Sequence, residues 1–237
     1  DFELMQSSED LWGSRDGSDT NINYTGDGAN FDGSSSYIQV DNLASDLINS
    51  NQITIMFDMK MFNIDNYNAI FDFGDNGLAT VFNVIKEAST NKMRVELVNN
   101  VPAAILSFTN WTVSDTTNNH IYILKIDDVN KFVEIYTDGT LIDNRTYSGN
   151  INFAGIDYGT IGSYFGFLNG TIKNMFFWNR SLSQLEISQL SNQFNGANDR
   201  FGNANNALNF TGNNNILVQN DGIFSKGNGD EIFISMW

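Results

Sequence analysis

The phrase "ANFDGSSSYIQV" at residues 29–40 returns near the end of the chain as "LNFTGNNNILVQ" at residues 208–219. Phe31 and Phe210 are 179 residues apart, and the same offset carries Ile53-Thr54-Ile55 onto Ile232-Phe233-Ile234 without a gap. Two matches at one spacing mark an internal repeat, and a repeat decides how many structural units a chain can form. One unit of about 180 residues is therefore followed by the opening of a second. Trp237 falls inside a segment whose first-copy counterpart reads as a strand, and the chain begins at Asp1 without a basic, apolar leader. The sequence reads as a processed product or a piece of a longer tandem protein. Its expected organisation is a domain over 1–190, an Asn- and Gly-rich linker over 191–206, and the opening strands of a truncated repeat over 207–237.

Within the first unit the dominant period is two. In "ITIMFDMKM" (53–61), Ile53, Ile55, Phe57, Met59 and Met61 share one face while Thr54, Asp58 and Lys60 share the other, the pattern of a half-buried strand. The alternation recurs at 93–98, 120–126, 132–137 and 171–178, punctuated by turn-formers at Asp75-Asn76-Gly77, Asp138-Gly139 and Ser148-Gly149-Asn150. Short strands with regular turns predict an all-β antiparallel sandwich or barrel. One helix is expected near 182–190, where Ser183 and Glu186 have capping-box spacing and Leu182, Leu185 and Leu190 form an apolar stripe.

Composition removes several function classes. A net charge of -16 with 12 scattered basic residues opposes binding to nucleic-acid phosphates. No apolar run is long enough to span a bilayer. The absence of cysteine removes disulfides, thiolate metal sites and Cys nucleophiles together. Six Asn-x-Ser/Thr triplets match what 36 Asn residues generate by chance, so they carry no glycosylation argument.

Three ordered segments carry a family resemblance: "ANFDGSSSYIQV", "NHIYILKIDDVNKFVEIYTDGTLIDN" and "IGSYFGFLNGTIKNMFFWNRSLSQLEI". Together they resemble the laminin-G-like jelly-roll domains, relatives of concanavalin A, pentraxins and bacterial glucanases, over residues 10–190. The resemblance implies a two-sheet antiparallel jelly roll, a fold that hosts lectins, adhesion modules, phage appendages and hydrolases alike.

Catalytic expectations are thin. His120, the one histidine, heads an apolar strand and matches the family's structural His. Glycoside hydrolysis needs two facing carboxylates, and the Glu-x-Asp-x-Glu pattern of glucanases of this fold is absent; Glu96, Glu134 and Glu186 stand apart, and Asp127-Asp128 reads as a turn. The resemblance also implies a structural calcium ion, with Asp10, Asp16 and Asp19 as the acids of a shortened loop that Arg15 interrupts. Candidate glycan-stacking aromatics are Trp12, Tyr24, Trp111, Tyr164 and Phe165, at least half of them competing with a role in the sheet interface.

The expected function is a non-catalytic recognition and adhesion module, glycan-binding, in a tandem-repeat extracellular or virion surface protein such as a phage tail appendage or a microbial surface protein. A glycoside hydrolase or its carbohydrate-binding accessory domain is the alternative, and a structural filament or spacer subunit is the third. The expected partners are glycans or cell-surface polymers, with self-association through residues 207–237.

Overall fold

The computed structural model describes residues 17–41, 51–63, 67–74, 80–98, 104–113, 115–151, 153, 156, 158–163 and 166–194. The chain divides into two units, Asp1–Ser191 and Asn192–Trp237. The second unit, and with it the expected repeat at 207–237, lies outside the described residues apart from its first three.

The first unit is a sandwich of two antiparallel seven-stranded sheets. Its strands are β1 (Ser18–Thr20), β2 (Asn23–Thr25), β3 (Gly28–Asp32), β4 (Tyr37–Asp41), β5 (Gln52–Met61), β6 (Asn68–Gly74) and β7 (Thr80–Lys86), then β8 (Lys92–Val98), β9 (Ala104–Thr112), β10 (His120–Asp127), β11 (Phe132–Thr137), β12 (Thr140–Thr146), β13 (Tyr158–Ile161) and β14 (Asn169–Trp178). One sheet has the order β1-β4-β13-β6-β7-β8-β9 and the other β12-β11-β10-β5-β14-β3-β2. Sequence neighbours therefore pair along β6-β7-β8-β9 in the first sheet and along β10-β11-β12 and β2-β3 at the two edges of the second, while β5 and β14 pair although far apart in the chain. The all-β jelly-roll expectation holds, and the alternating segments at 53–61, 93–98, 120–126, 132–137 and 171–178 fall in β5, β8, β10, β11 and β14.

The core lies between the sheets. Phe57 of β5 sits at its centre, with ring centroids 5.8 Å from Phe71, 5.6 Å from Trp111 and 5.5 Å from Tyr122. Phe71 and Trp111 belong to one sheet and Phe57 and Tyr122 to the other, so the contacts of Phe57 with Phe71 and Trp111 join the layers, and each of the three offset or edge-on pairs adds about 0.5–1.5 kcal/mol beyond area burial. The Trp111 indole N–H donates to the Thr137 hydroxyl at 3.0 Å, satisfying its one polar atom inside the core.

The opening phrase has a local explanation here. Ala29 and Phe31 enter the core. The Asp32 carboxylate then accepts from the backbone N–H of Ser34, Ser35 and Ser36 and from the Ser35 hydroxyl, fixing the β3–β4 turn. Those bonds, the Ser35 hydroxyl foremost, hold the Asp32 carboxyl well below the usual carboxylate range. Gly33 takes a φ of 75° that a side chain would strain, and its N–H reaches Leu168 O at 2.9 Å.

Helix α1 (Gln184–Phe194) follows β14. Its capping box forms as expected: Ser183 N–H donates to Glu186 Oε2 at 2.7 Å and Glu186 N–H to Ser183 Oγ at 3.3 Å. Hydrogen bonding from Arg180 leads the causes that lower the Glu186 carboxyl to about 2, against desolvation. The expected stripe is corrected. Leu185 is 64% exposed, while Ile187 is fully buried, as are Leu182 just ahead of the helix and Ser191 one turn beyond Ile187. Helical geometry puts positions 187 and 191 on one side and swings 185 away from it.

Candidate functional site

The outer face of the β5 sheet divides into two parts. Residues that alternate with the core set, Thr54, Met56 and Asp58 on β5 and Ile121 and Ile123 on β10, are themselves buried. The segment leading to α1 lies against this part: the Thr54 hydroxyl donates to Arg180 O at 2.9 Å and accepts from Leu182 N–H at 3.1 Å.

Toward the other edge the same face becomes polar. Register places Lys60 of β5 opposite Thr171 of β14, Thr171 opposite Asn30 of β3, and Asn30 opposite Asn23 of β2. Their neighbours Met59, Met61, Ile172, Ala29 and Phe31 all enter the core, so these four point outward. Asn30 Nδ2 is committed to the β2–β3 hairpin, donating to Asn23 O and Thr25 Oγ1 at 2.9 Å each, which leaves its Oδ1 as an acceptor. Thr171 is 1% exposed and its hydroxyl has no hydrogen-bond partner. The Lys60 ammonium lies 5.3 Å from the centroid of the Phe62 ring, and Phe62 is 47% exposed. Among the described residues Lys60 forms no ion pair.

Backbone geometry builds this patch. Gly28 has a φ of 104°, and a Cβ there would stand 2.4 Å from Ile172 O, so glycine is what allows the β2–β3 turn to press against β14. The β-bulge between Ile172 and Asn174 keeps Asn174 beside Asp58, where Nδ2 donates to Oδ2 at 3.3 Å. Desolvation raises the Asp58 carboxyl above its usual range, opposed by the Asn119 hydrogen bond and the nearby Lys173 charge.

A second polar surface crosses the other sheet. Ser18, Gln39, Thr160, Asp72, Asn83, Glu96 and Ser107 stand in register, one from each of its seven strands. Its centre is closed off, with Asn83 at 0% and Asp72 at 8% exposure, while Ser18 and Ser107 are exposed. Asn83 Nδ2 reaches Glu96 Oε2 at 3.4 Å and its Oδ1 has no partner.

Several other titratable groups are hydrogen-bonded within the scaffold. His120 lies between two carboxylates, Nδ1 at 2.7 Å from Asp138 Oδ2 and Nε2 at 3.1 Å from Asp115 Oδ2. Desolvation works against its charge, but the two acids outweigh it and its pKa is raised. Both ring nitrogens are thereby occupied. Glu134 accepts from Lys125 and Tyr136 at 2.9 and 2.7 Å, and Asp127 Oδ1 caps its turn through Val129 and Asn130 N–H.

Of the residues picked out by sequence, Trp111 is fully enclosed in the core, from which its ring cannot reach a ligand. Tyr24 is half-buried and packs against the core cluster from β2. Trp12, Tyr164 and Phe165 lie outside the described residues, as do Asp10 and Asp16. Asp19 is exposed on β1, and among the described residues no group of three His, Cys, Asp or Glu could hold a metal ion. Sequence reasoning missed Lys60, Phe62, Thr171 and Asn30. Phe62 carried a signal, an aromatic residue one position past the end of an alternating strand. The rest depend on pairing between residues far apart in the chain.

A family model described as the concanavalin A-like lectin/glucanases superfamily, Laminin_G_3, matches residues 32–188. The chain belongs to the Laminin_G_3 family. No curated protein matches this Laminin_G_3 chain. Solved structures share its fold. One is a botulinum neurotoxin type C, whose cell entry depends upon interaction with two ganglioside molecules (18% identity, 86% of this chain and 54% of that chain, TM-score 0.64). Another is the binding domain of botulinum neurotoxin DC in complex with rat synaptotagmin II (16%, 86% and 54%, TM-score 0.62). A third is Trypanosoma rangeli sialidase in complex with sialic acid (16%, 80% and 32%, TM-score 0.63). The Laminin_G_3 chain thus spans about half the length of the neurotoxin chains and a third of the sialidase. Among the described residues no helix is long and apolar enough to cross a membrane.

Proposed function

We propose that this chain is a non-catalytic glycan-recognition module of an extracellular, cell-surface or virion surface protein. One observation carries the reading: the patch formed by Asn23, Asn30, Thr171, Lys60 and Phe62 on the outer face of the β5 sheet. An exposed ring offers its electron-rich face to the C–H groups of a sugar. The neighbouring amides, hydroxyl and ammonium offer donors and acceptors to sugar hydroxyls. The fold neighbours that engage gangliosides or sialic acid support the same class of ligand. The test is binding of the full chain to a glycan array, repeated with Phe62→Ala. Retention of a defined subset of glycans, lost in the variant, supports the reading; no binding to any glycan overturns it.

A hydrolytic reading has one observation in its favour, the placement of Asp72 and Glu96 in one row with Asn83 between them. Two strand spacings separate them by roughly 9–10 Å at the backbone, near the range for an inverting carboxylate pair. The buried centre of that row favours the non-catalytic reading. Release of reducing ends from a polysaccharide panel, abolished by Glu96→Gln, would reverse the choice.

Two further parts of the proposal concern residues that, apart from Asp19, lie beyond those described. A structural calcium ion on Asp10, Asp16 and Asp19 would stabilise the native state, so chelation should lower the melting temperature; an unchanged melt removes the ion. Self-association through residues 207–237 should disappear, as mass in light scattering, when 200–237 are deleted. Tandem copies would multiply weak contacts with repeated glycans through effective concentration.

A further inference from the structure

We infer that the patch around Lys60 selects saccharides carrying a carboxylate over their neutral counterparts, an inference that rests on the glycan-recognition reading of the same site. The chain carries a net charge of -16, so its overall field repels an acidic sugar, and any site for one must supply a local cation. Lys60 supplies it. Among the described residues its ammonium has no carboxylate partner, whereas Arg94, Lys125, Lys131, Arg145 and Arg180 are all paired with acids. Lys60 leans instead toward the exposed Phe62 ring, so cation and stacking surface occupy one place.

Thr171 is the second, independent observation. Its hydroxyl is buried next to Lys60 across the β5–β14 pairing and makes no hydrogen bond. Buried hydroxyls in a folded protein are almost always partnered, so an orphan marks unspent hydrogen-bonding capacity. A hydroxyl beside an ammonium gives two donors to a carboxylate that displaces the atoms covering Thr171. On the far side of Thr171, Asn30 has its Nδ2 committed to the hairpin and presents an acceptor for a sugar hydroxyl. Lys173 adds positive charge nearby, close enough to act on Asp58. Among the described acids nearby, Asp58 is enclosed at 4% exposure and engaged by Asn119 and Asn174, and Asp32, opposite Asn169, has its carboxylate held by Ser34, Ser35 and Ser36 in the β3–β4 turn. Donors, stacking ring and acceptor thus follow one another along the sheet, as a carboxylated pyranose lying on Phe62 requires.

The experiment uses the full chain and calorimetric titration with three probes: 3′-sialyllactose, a glucuronate-containing oligosaccharide and lactose. Expected is binding of at least one carboxylated probe about tenfold or more tighter than lactose, the loss of one charge-assisted hydrogen bond being worth that factor. Lys60→Gln should weaken the carboxylated probe far more than lactose and so remove that preference, Thr171→Val should reduce it severalfold, and Lys92→Gln, an exposed lysine elsewhere, should leave it intact. Circular dichroism melts confirm that each variant folds. Equal binding of lactose, or an unchanged preference in Lys60→Gln, overturns the inference while leaving glycan recognition standing. Absence of binding to all three probes and to a wider array overturns both.

Discussion

Thr54 and Thr171 stand on the same outer face of the same sheet, 0% and 1% exposed, and their hydroxyls have opposite fates. That of Thr54 donates to Arg180 O and accepts from Leu182 N–H, tying the approach to α1 onto β5. That of Thr171 has no partner. Burial is equal at the two positions, so burial does not separate the structural half of the face from the candidate binding half. Satisfaction of the threonine hydroxyl does, although the Ser181 and Ser191 hydroxyls on the α1 side are also unpartnered. Beside Thr54 stand Trp178 and a Lys125 that is paired with Glu134, and the next row, Phe176, Met56, Ile123 and Tyr136, is apolar. Beside Thr171 it carries Lys60 and Asn30.

The largest effect should come from the α1 side. Ile187 is fully buried, and Ile187→Ala removes three carbons from a closed site, a change that costs about 2–5 kcal/mol. Chemical denaturation should show the loss in the midpoint. A loss below about 0.5 kcal/mol, the usual size for surface positions, would mean that α1 contributes little to the stability of this face.

Thr54→Val comes next, with an expected loss of about 1–3 kcal/mol, because Leu182 N–H and Arg180 O would both be left without their partner. The same equilibrium unfolding measurement checks it. A neutral result would erase the contrast between the two threonines.

What the sequence made legible follows from these physical differences. The alternation in 53–61 was visible because every second residue of β5 enters the core, whatever covers the opposite face. β6 gave no such signal: all seven residues of "NAIFDFG" are buried, so neither face is marked by polarity. The helix was visible through its capping box, a local device, but its orientation was not, because Ile187 rather than Leu185 is buried. The candidate site was the least legible part. Thr171 and Lys60 are 111 residues apart, and their contact exists because β14 pairs with β5 in one register that no local pattern encodes. Trp111 misled as a candidate for a related reason. A tryptophan suits a core as well as a surface, and the Thr137 hydroxyl that satisfies its N–H belongs to a different strand.

A smaller, pH-limited effect is expected at His120, which bridges the approach to β10 and the β11–β12 turn through Asp115 and Asp138. Its folded pKa is raised above 6.5, so the folded state holds the proton more tightly than the unfolded chain. The resulting stabilisation is complete below about pH 6.5 and is lost as pH rises through the folded value. Thermal melts from pH 5 to 9 should show this decline in the native chain and a flatter profile in His120→Gln. A native profile that rises over this window would contradict the doubly paired imidazolium.

The smallest effect, and the one that decides the comparison, is expected from Thr171→Val. Thr54→Val breaks two hydrogen bonds, but Thr171→Val breaks none, since the hydroxyl it removes is unpartnered. Replacing an unsatisfied buried polar group by an apolar one of the same shape is neutral or stabilising, and valine suits a strand at least as well as threonine. Stability should therefore stay within about 0.5 kcal/mol of the native chain or rise by about 1 kcal/mol. A loss as large as that of Thr54→Val would show that the Thr171 hydroxyl has a structural partner, and the argument for a ligand at Lys60 would lose its second support. A neutral or stabilising result, together with weakened binding of a carboxylated saccharide, would mean that the chain keeps at this position a group that its fold does not need.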